Sequence, residues 1–399
     1  MVKLPIYLDN AATTPVDPRV MEVMLPYFTE KFGNAASRSH SFGWIAEEAV
    51  DHAREQVAKL INSQVKEIIF TSGATESNNL ALKGVFETYR ENGNHIITVK
   101  TEHKCILDVC KHIEKLGGDV TYLDVNSEGE LNLEELESAV TPKTILISVM
   151  YANNEIGVVH PIKEIAAIAA KHNILFHTDA TQAVGKIPVD VEAEGIHLLS
   201  MSAHKIYGPK GVGCLYVRRK NPRVKLTAQI DGGGHERGMR SGTLNVPGIA
   251  GIGAASEICM KEMKVEASRL LNLHNKLESA LLELEATAVN GNKKNRLPNL
   301  SNISFKFVDS DALMSSFNKD IAVSSGSACT SASIEPSHVL RALGLGDDTA
   351  HSSIRFSLGR FNTEEEIDFT IKRVKESVMK LRELSPLWEM HKEGLKISS

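Results

Sequence analysis

The chain has 399 residues, of which 42% are hydrophobic and 24% are charged, and this ordinary globular composition excludes a disordered protein. A net charge of −5 gives no general reason to expect binding to nucleic acid or to an acidic membrane surface. No stretch approaches the ~18 consecutive apolar residues of a membrane helix, and the amino-terminal residues lack the apolar region of a secretory signal. The five cysteines include no C-x-x-C pair, which favours neither a disulfide framework nor a zinc site and predicts a reducing, cytoplasmic setting.

Short apolar runs alternate with helical patterns through the first half of the chain. Seven such runs are rich in Val, Ile and Leu: 68–70, 95–99, 120–125, 144–151, 174–178, 197–200 and 213–218. Strand–helix–strand alternation of this kind predicts an α/β fold built on a mostly parallel, seven-stranded sheet. Because such sheets bind ligands at the carboxyl ends of their strands, chemistry is expected in the loops that follow these runs.

The second half of the chain predicts a smaller α+β domain. Leucines recur at spacings of three and four within a long helical pattern from about 250 to 288. Strand-like runs follow at 303–307, 321–324 and 354–358, and Thr363 begins a final helix with a capping-box pattern. We therefore predict three segments: 1–14, which packs with the small domain; 15–260, the large domain; and 261–399, the small domain with a loop at 324–333.

A lysine and a carboxylate follow two consecutive runs of the predicted sheet. Lys205 lies just past the run 197–200, and Asp179 comes directly after the run 174–178. A lone loop lysine is usually a solvated side chain, but partial desolvation can turn its amine into a Schiff-base nucleophile. An Asp in this position is commonly a turn or cap residue, yet it can also keep a pyridinium nitrogen protonated. The pairing of the two favours the functional interpretation.

Residues 71–79 follow the first run and begin a helical pattern. Gly73 allows a tight turn, after which the amides of Ala74 and Thr75 can hold a phosphate at the helix N-terminus. The alternative is a plain Ser/Thr helix cap. The segment is neither a Walker loop nor a dinucleotide fingerprint.

Two further polar side chains follow strand-like runs. His103 comes after the run 95–99 and can stack on a flat cofactor and move protons near neutral pH. The chain has 15 histidines, so a structural role is the commoner alternative for any one of them. Asn154 follows the run 144–151 and can donate to a ring oxygen, or it can belong to an ordinary polar loop.

One cysteine differs from the other four in its surroundings. Cys329 lies among Ser, Gly, Ala and Thr in the segment 324–333, with no large apolar neighbour that would bury it. A buried structural Cys is the usual interpretation, and it suits the other four cysteines, which lie in helical or strand patterns. A loop of small residues instead suits a nucleophile that must visit two places.

Together these segments carry a resemblance to a known family. The chain resembles the class V aminotransferase-type pyridoxal-phosphate enzymes and, more narrowly, the NifS/IscS-like cysteine desulfurases of bacterial iron–sulfur cluster assembly. The resemblance covers nearly the whole chain. Its most specific pieces are TSGATES at 71–77, TEHK at 101–104, NNEIGV at 153–158, DATQ at 179–182, SAHKIYGPKG at 202–211, GGGHERGMRSGT at 232–243, SSGSACTSAS at 324–333 and SSIRFSLGRF at 352–361.

The resemblance implies a pyridoxal 5′-phosphate cofactor in a fold-type-I transferase, with roles for individual residues. Lys205 forms the Schiff base, Asp179 pairs with the pyridinium nitrogen, and His103 stacks on the ring and shuttles protons. Arg355 binds the substrate carboxylate, and Cys329 takes the sulfur from L-cysteine as a persulfide while L-alanine is released. Further contacts to the ring, phosphate or substrate are implied for Ala74, Thr75, Asn154, Gln182, Ser202, His204 and, across a homodimer interface, Thr243.

The same resemblance implies partners. They are a scaffold protein of the IscU type, with Cys329 as a transient [2Fe–2S] ligand shared with it, and other sulfur acceptors of the TusA-like and ThiI-like kinds that serve tRNA thiolation. Within the family, the alternative is a SufS-like desulfurase or selenocysteine lyase, in which the cysteine segment is shorter and more rigid. A pyridoxal-dependent aminotransferase would need no loop cysteine. A non-enzymatic sulfur carrier would need neither Lys205 nor Asp179.

Overall fold

The computed structural model describes residues 2–325 and 336–394. The helices of this part are α1 (Pro18–Met24), α2 (Pro26–Thr29), α3 (Ser41–Leu60), α4 (Ala74–Tyr89), α5 (Lys104–Lys115), α6 (Leu133–Ser138), α7 (Ile162–Lys171), α8 (Val246–Leu281), α9 (Ser310–Phe317), α10 (His338–Ala342), α11 (Asp347–His351), α12 (Glu364–Glu383) and α13 (Pro386–Lys392). The strands are β1 (Ile6–Tyr7), β2 (Ile68–Thr71), β3 (His95–Val99), β4 (Asp119–Leu123), β5 (Thr144–Ser148), β6 (Leu175–Asp179), β7 (Leu198–Ser202), β8 (Gly213–Val217), β9 (Thr287–Val289), β10 (Leu300–Phe305), β11 (Ile321–Ala322) and β12 (Ser353–Ser357). None of the helices in these ranges combines the length and the apolarity that a membrane crossing needs.

A seven-stranded sheet with the order β2-β8-β7-β6-β5-β3-β4 forms the centre of the fold. Only β8 runs antiparallel to its neighbours, so the predicted mostly parallel sheet is confirmed. Each of the seven apolar runs overlaps a strand, and every strand except the edge strand β4 is buried along its whole length. Helices cover both faces, which explains why these strands are continuous apolar runs rather than alternating patterns.

The two faces of this sheet belong to two separate apolar cores. In β2, Ile68 and Phe70 pack into the core that contains α3 and the first half of α8, whereas Ile69 packs into the core of α4 and α5. This alternation follows from the two-residue period of side chains along a strand.

A third core lies under a smaller three-stranded sheet with the order β12-β10-β9. Helix α8 has 36 residues and connects the cores, since Ile249 packs in the large one and Leu277 in the small one. The predicted boundary at residues 260 and 261 falls inside this helix, and the domain division itself stays a prediction. The segment before residue 14 contributes β1, which pairs in parallel with β11.

The predicted extent of the long helix is wrong at its carboxyl end. The helix ends at Leu281, and residues 287 and 288, which the pattern assigned to it, belong to β9. That strand pairs with β10 through the register Val289 to Ile303. Its hydrogen bonds come from a segment more than ten residues away, so the local pattern of apolar residues carried no signal for it.

Three histidines in the large domain are buried as neutral rings. Burial lowers the pKa of His160, His177 and His197 to about 4. His177 lies between Ser148 Oγ and Ser200 Oγ at 2.9 and 3.1 Å. The ring nitrogens of His160 have no hydrogen-bond partner among the described residues. As the pH falls, these rings therefore take up a proton at a higher pH in the unfolded chain than in the folded one.

Acid should therefore destabilise this fold, and His160→Leu should reduce the effect. Because the folded pKa lies below the ordinary value of 6.5, the unfolded state binds more protons. Stability is complete above about pH 6.5 and declines as the pH falls towards about 4. Urea unfolding midpoints measured across this range should fall less steeply for His160→Leu than for wild type. The exposed His351→Gln should follow the wild-type slope; equal slopes for all three proteins would contradict the assignment.

Candidate active site

A cavity of about 560 Å³ lies at the carboxyl edge of the large sheet, and it has the size of a cofactor or substrate site. The loops that follow β2, β3, β5, β6 and β7 all contribute to its lining. Ten of the residues that the sequence singled out line this cavity: Ala74, Thr75, His103, Asn154, Asp179, Gln182, Ser202, His204, Lys205 and Arg355.

Lys205 lies in a single helical turn directly after β7. Its Nζ donates to the carbonyl oxygens of Ala11 and Ala12, the latter at 2.7 Å. The amino-terminal segment therefore forms one wall of the cavity, next to the amine. No residue before Thr71 was among the sequence-based site candidates.

Asp179 is the last residue of β6 and presents a nearly buried carboxylate to the cavity. Its Oδ1 accepts the Thr181 N–H at 3.0 Å, and its Oδ2 accepts from Asn78 Nδ2 at 2.7 Å. Strands β6 and β7 are hydrogen-bonded neighbours, with Asp179 paired to Ser200. The register thus brings the carboxylate and Lys205 to the same edge.

His103 follows β3 and is the N-cap of α5, where its Nδ1 accepts the Cys105 N–H at 3.2 Å. The residue before it, Glu102, is completely buried, and its Oε1 accepts the Met150 N–H at 2.5 Å. Burial, with the nearby Asp179 carboxylate, raises the pKa of Glu102 well above its usual range. These surroundings therefore favour the protonated form of the carboxyl that precedes His103 in the chain.

One corner of the cavity is suited to an anion. Gly73, with φ of +154°, is the N-cap of α4, and no side chain caps this helix. The first-turn amides of Ala74 and Thr75 therefore open towards the cavity, which Ser202 and His204 also line. The histidine ring is neutral here, since burial and three nearby lysines lower its pKa to about 4.

The acidic residue in that first turn is neutralised by a distant loop. Glu76 accepts the Ser72 N–H at 2.7 Å and forms an ion pair with Arg240 at 2.9 Å. Thr243 lies three residues further along, is exposed and is absent from the lining of this chain's own cavity.

Arg355 of the smaller sheet contacts the loop after β5 and the amino-terminal segment at the cavity wall. It lies on β12, is 2% exposed, and donates from Nη1 to the Asn154 carbonyl oxygen at 2.7 Å. Its Nη2 forms an ion pair with Asp9 at 2.8 Å. Asp9 had no predicted role, although it lies close to the segment that forms the cavity wall.

Gln182 is held in one orientation by two contacts. Its Oε1 accepts from Lys186 Nζ at 2.8 Å, and its Nε2 donates to the Ala11 carbonyl oxygen at 2.9 Å. Desolvation, with the nearby Lys205 and Arg355, lowers the pKa of Lys186 to about 7. The amide therefore presents its donor, rather than its acceptor, towards the amino-terminal wall.

Several predictions fall outside this geometry. Cys329 lies outside the described residues, as does the iron–sulfur ligation suggested for it. In residues 2–325 and 336–394, no cluster of three or more His, Cys, Asp or Glu side chains is arranged to hold a metal. The sequence analysis assigned no role to Asn78, which is buried in α4 and contacts Asp179, and it expected Cys105, which lines the cavity, to be structural.

The residues present fit a pyridoxal 5′-phosphate group. An uncapped helix turn suits the phosphate, and Asp179 supplies the anion that a protonated pyridine nitrogen needs. The Lys205 amine opens into the same space and can hold an aldehyde carbon. The three groups lie on three different segments at the sheet edge. The cofactor likewise has three separate polar ends, which are its phosphate, its ring nitrogen and its aldehyde.

Comparison with known proteins points to one family. Residues 6–369 match the family model described as aminotransferase class-V. The chain is 58% identical over 398 residues to "Cysteine desulfurase IscS" of Anaeromyxobacter dehalogenans, with 100% of this chain and 98% of the relative covered. It is 55% identical over 398 residues to the protein of the same name from Methylococcus capsulatus, with the same coverage.

Solved structures agree with this comparison. A structure described as a NifS-like protein has a TM-score of 0.87 at 40% identity, and the match covers 94% of this chain and 99% of that one. A structure described as SspA in complex with cysteine has a TM-score of 0.80 at 37% identity, with 90% of this chain and 100% of that one covered.

Proposed function

The chain belongs to the aminotransferase class-V family and, within it, to the pyridoxal-phosphate-dependent cysteine desulfurases of the IscS kind, and we propose that the cavity at the sheet edge is where sulfur is removed from L-cysteine. The observation that carries this proposal is the convergence of the Lys205 amine, the Asp179 carboxylate and the uncapped first turn of α4 on one cavity. The enzyme supplies sulfur for iron–sulfur cluster assembly.

When bound, pyridoxal phosphate supplies an electron sink for the bond pair released at the substrate Cα. Asp179 holds a proton at the position of the ring nitrogen and so keeps that sink effective. The buried Asn78 amide supports the carboxylate as an anion, because it donates to Oδ2 at 2.7 Å. Ala74, Thr75, Ser202 and His204 bind the phosphate, and Asn154 and Gln182 contact the ring oxygen or nearby groups.

Lys205 and His103 move the protons. Lys205 holds the cofactor in the resting enzyme, and its amine takes the proton from the substrate Cα once L-cysteine is bound. Both carbonyl oxygens that accept from its Nζ belong to the amino-terminal wall, so the amine has a defined resting position. His103 is the second acid–base group, because its imidazole ring lines the cavity.

Arg355 binds the substrate carboxylate. A guanidinium has five N–H donors, and the contacts to Asp9 and to the Asn154 carbonyl oxygen orient its plane at the cavity wall. The ion pair with Asp9 also fixes Arg355 relative to the amino-terminal segment. Substrate binding therefore depends on both domains being folded together.

The sulfur is transferred to Cys329, on the basis of its sequence context. Its thiolate attacks the substrate sulfur, the bond between Cβ and sulfur breaks, and a sulfur–sulfur bond forms on the protein. The electron pairs left at Cα and Cβ each take up one proton, which completes L-alanine. No external oxidant is needed, because Cβ is reduced by two electrons while the two sulfurs of the persulfide together lose two.

We further propose which acceptors take this sulfur. They are an iron–sulfur scaffold protein of the IscU type, towards which Cys329 also serves as a transient [2Fe–2S] ligand, and carriers of the TusA-like and ThiI-like kinds for tRNA thiolation. Support comes from the similarity to IscS proteins at 55–58% identity. The enzyme is first incubated with [³⁵S]cysteine so that its persulfide carries the label. A protein that accepts this sulfur should become labelled with ³⁵S when it is mixed with the enzyme.

A homodimer is the proposed assembly, with Thr243 of each chain directed to the phosphate of the other. Four large apolar side chains between residues 21 and 45 are more than half exposed: Leu25, Phe28, Phe32 and Trp44. Helix α2 has no buried residue. An exposed apolar surface of this kind is typical of a protein interface, and Thr243 is itself exposed.

The desulfurase activity is tested by incubating the protein with L-cysteine and assaying alanine together with protein-bound persulfide. Equal initial amounts of the two are expected. A keto acid in place of alanine would instead indicate an aminotransferase, and alanine without persulfide would exclude sulfur transfer through a protein thiol.

Replacing Lys205 by Ala should abolish turnover and the absorption band near ~400 nm that a lysine Schiff base gives. The matched control is Lys210→Ala, since Lys210 lines the same cavity but, unlike Lys205, lies outside the turn directly after β7. The absorption band of the Lys210→Ala protein should remain. Visible spectra before and after borohydride reduction measure both. A persistent band in Lys205→Ala would place the Schiff base on another lysine.

Asp179→Asn should keep the cofactor but slow alanine formation by several orders of magnitude, roughly 10³-fold or more. A neutral amide cannot hold the ring nitrogen protonated, so the electron sink is weakened. Single-turnover rates of substrate α-proton exchange give the effect directly. Exchange within about tenfold of wild type would remove Asp179 from this role.

Cys329→Ser should bind the cofactor and L-cysteine yet form no persulfide and little alanine, because a hydroxyl is a poor nucleophile towards sulfur. In wild-type enzyme treated with L-cysteine, peptide mass spectrometry should locate an added sulfur of about 32 Da on the peptide that contains Cys329. The same mass on a peptide containing Cys105, Cys110, Cys214 or Cys259 would show that another thiol accepts the sulfur.

A further inference from the structure

Cys105 is the one cysteine of the described residues that lines the active-site cavity, and it contacts two groups of the proposed machinery. Its Sγ lies 3.0 Å from His103 Nδ1. Asn78 Nδ2 lies 3.1 Å from the same sulfur and 2.7 Å from Asp179 Oδ2. A continuous chain of contacts therefore connects the ring of His103 to the carboxylate of Asp179.

The direction of these hydrogen bonds follows from the groups at the two ends. A carboxylate only accepts, so Asn78 must present its NH₂ group to Asp179. The second hydrogen of that NH₂ points to the sulfur, which therefore accepts from Asn78. The opposite amide orientation would place its oxygen against the carboxylate and lose the bond to Asp179. The thiol hydrogen of Cys105 is then left to donate to His103.

The ring of His103 receives both of its identified donors at the same nitrogen. Nδ1 accepts the Cys105 backbone N–H at 3.2 Å as well as the thiol at 3.0 Å. A neutral imidazole with an acceptor at Nδ1 carries its hydrogen on Nε2. The hydrogen bond from the backbone N–H is part of the helix cap and would form with any residue except proline at position 105. The hydrogen bond from the thiol requires a cysteine, or another side chain that can donate, at that position.

We propose that Cys105 is a positioning residue, whose thiol holds His103 in the Nε2–H tautomer and in one ring orientation and couples it through Asn78 to Asp179. This inference rests on the proposed function, because the acid–base role of His103 belongs to it. A hydrogen bond to one ring nitrogen decides which proton the other can exchange. The sulfur of Cys105 takes no part in the sulfur transfer itself.

Three variants separate this role from general packing. Cys105→Ala removes the thiol and keeps the backbone cap. Cys105→Ser keeps a side chain that both donates and accepts. Cys110→Ala is the matched control: it truncates a fully buried cysteine on the same helix that does not line the cavity. The visible band of the bound cofactor, recorded for each holoenzyme, verifies that the Lys205 site is intact.

The deciding measurement is long-range ¹H–¹⁵N NMR of ¹⁵N-histidine-labelled holoenzyme, with the His103 signals assigned by their loss in His103→Gln. Wild type and Cys110→Ala should show the Nε2–H pattern. Cys105→Ala should show a mixture of tautomers and an alanine-forming kcat reduced on the order of tenfold, with KM for L-cysteine little changed. Cys105→Ser should return both readouts towards wild type.

Two results would overturn the proposal. One is an unchanged His103 tautomer in Cys105→Ala; the other is a loss of kcat in Cys105→Ala that Cys105→Ser does not relieve or that Cys110→Ala reproduces. The NMR comparison does not require turnover. If the protein forms no alanine from L-cysteine, the proposed function fails, while the tautomer measurement still decides the role of Cys105.

Discussion

The active-site cavity depends on one constraint, which is that parallel strands end at the same edge of a sheet. Asp179 and Lys205 are neighbours because β6 and β7 are hydrogen-bonded in register, with Asp179 opposite Ser200. The antiparallel strand β8 begins at this edge with Gly213, where a Cβ would lie 2.5 Å from the Met201 carbonyl oxygen and 2.7 Å from Gly73 Cα. Close packing at this glycine brings the uncapped turn before α4 against the end of β7.

The cavity is closed by parts of the chain that lie outside the large sheet. The segment around Ala12 accepts from Lys205, and Asp9 pairs with Arg355 on β12 of the smaller sheet. Strand β1 pairs with β11, and the small apolar core contains Ile6 together with Phe356. The amino-terminal segment thus contacts both the edge of the large sheet and the small apolar core, and the walls around Lys205 and Arg355 exist only when both apolar cores have formed.

The electrostatics of the cavity favour anionic ligands. Burial, with the nearby Lys205 and Arg355, lowers the pKa of Lys186. Burial and three nearby lysines keep His204 neutral at neutral pH, and burial raises the pKa of Glu102, which favours its protonated form. A phosphate group and a substrate carboxylate would supply the missing negative charge. Asp179 is kept apart from this cationic side by its contacts to Asn78 and Thr181.

The sequence by itself determined the class of fold and ten of the residues that line the cavity. Buried strands are continuous apolar runs, and the polar residue that follows each run lies at the ligand-binding edge, so local patterns were sufficient for Asp179, His103 and Lys205. The motifs that carry the family resemblance added Gln182 and Arg355 to the predicted site, and no periodicity would have indicated these two residues. The end of the long helix was predicted too late, because the ladder between β9 and β10 is a non-local interaction.

Only the tertiary structure decided which side chains support these residues. Asn78 is one of two consecutive asparagines in a helical pattern, and nothing local distinguishes it from Asn79, whose amide bonds to the carbonyl of Thr75 on its own helix. Asp9 and Arg355 are 346 residues apart, and their ion pair exists only after β1 and β12 reach the same cavity wall. Cys105 has the apolar neighbours of a structural cysteine in sequence, but the first turn of α5 directs its sulfur towards His103 and Asn78. Local sequence specifies which groups are present at the sheet edge, whereas contacts across hundreds of residues specify how each one is oriented.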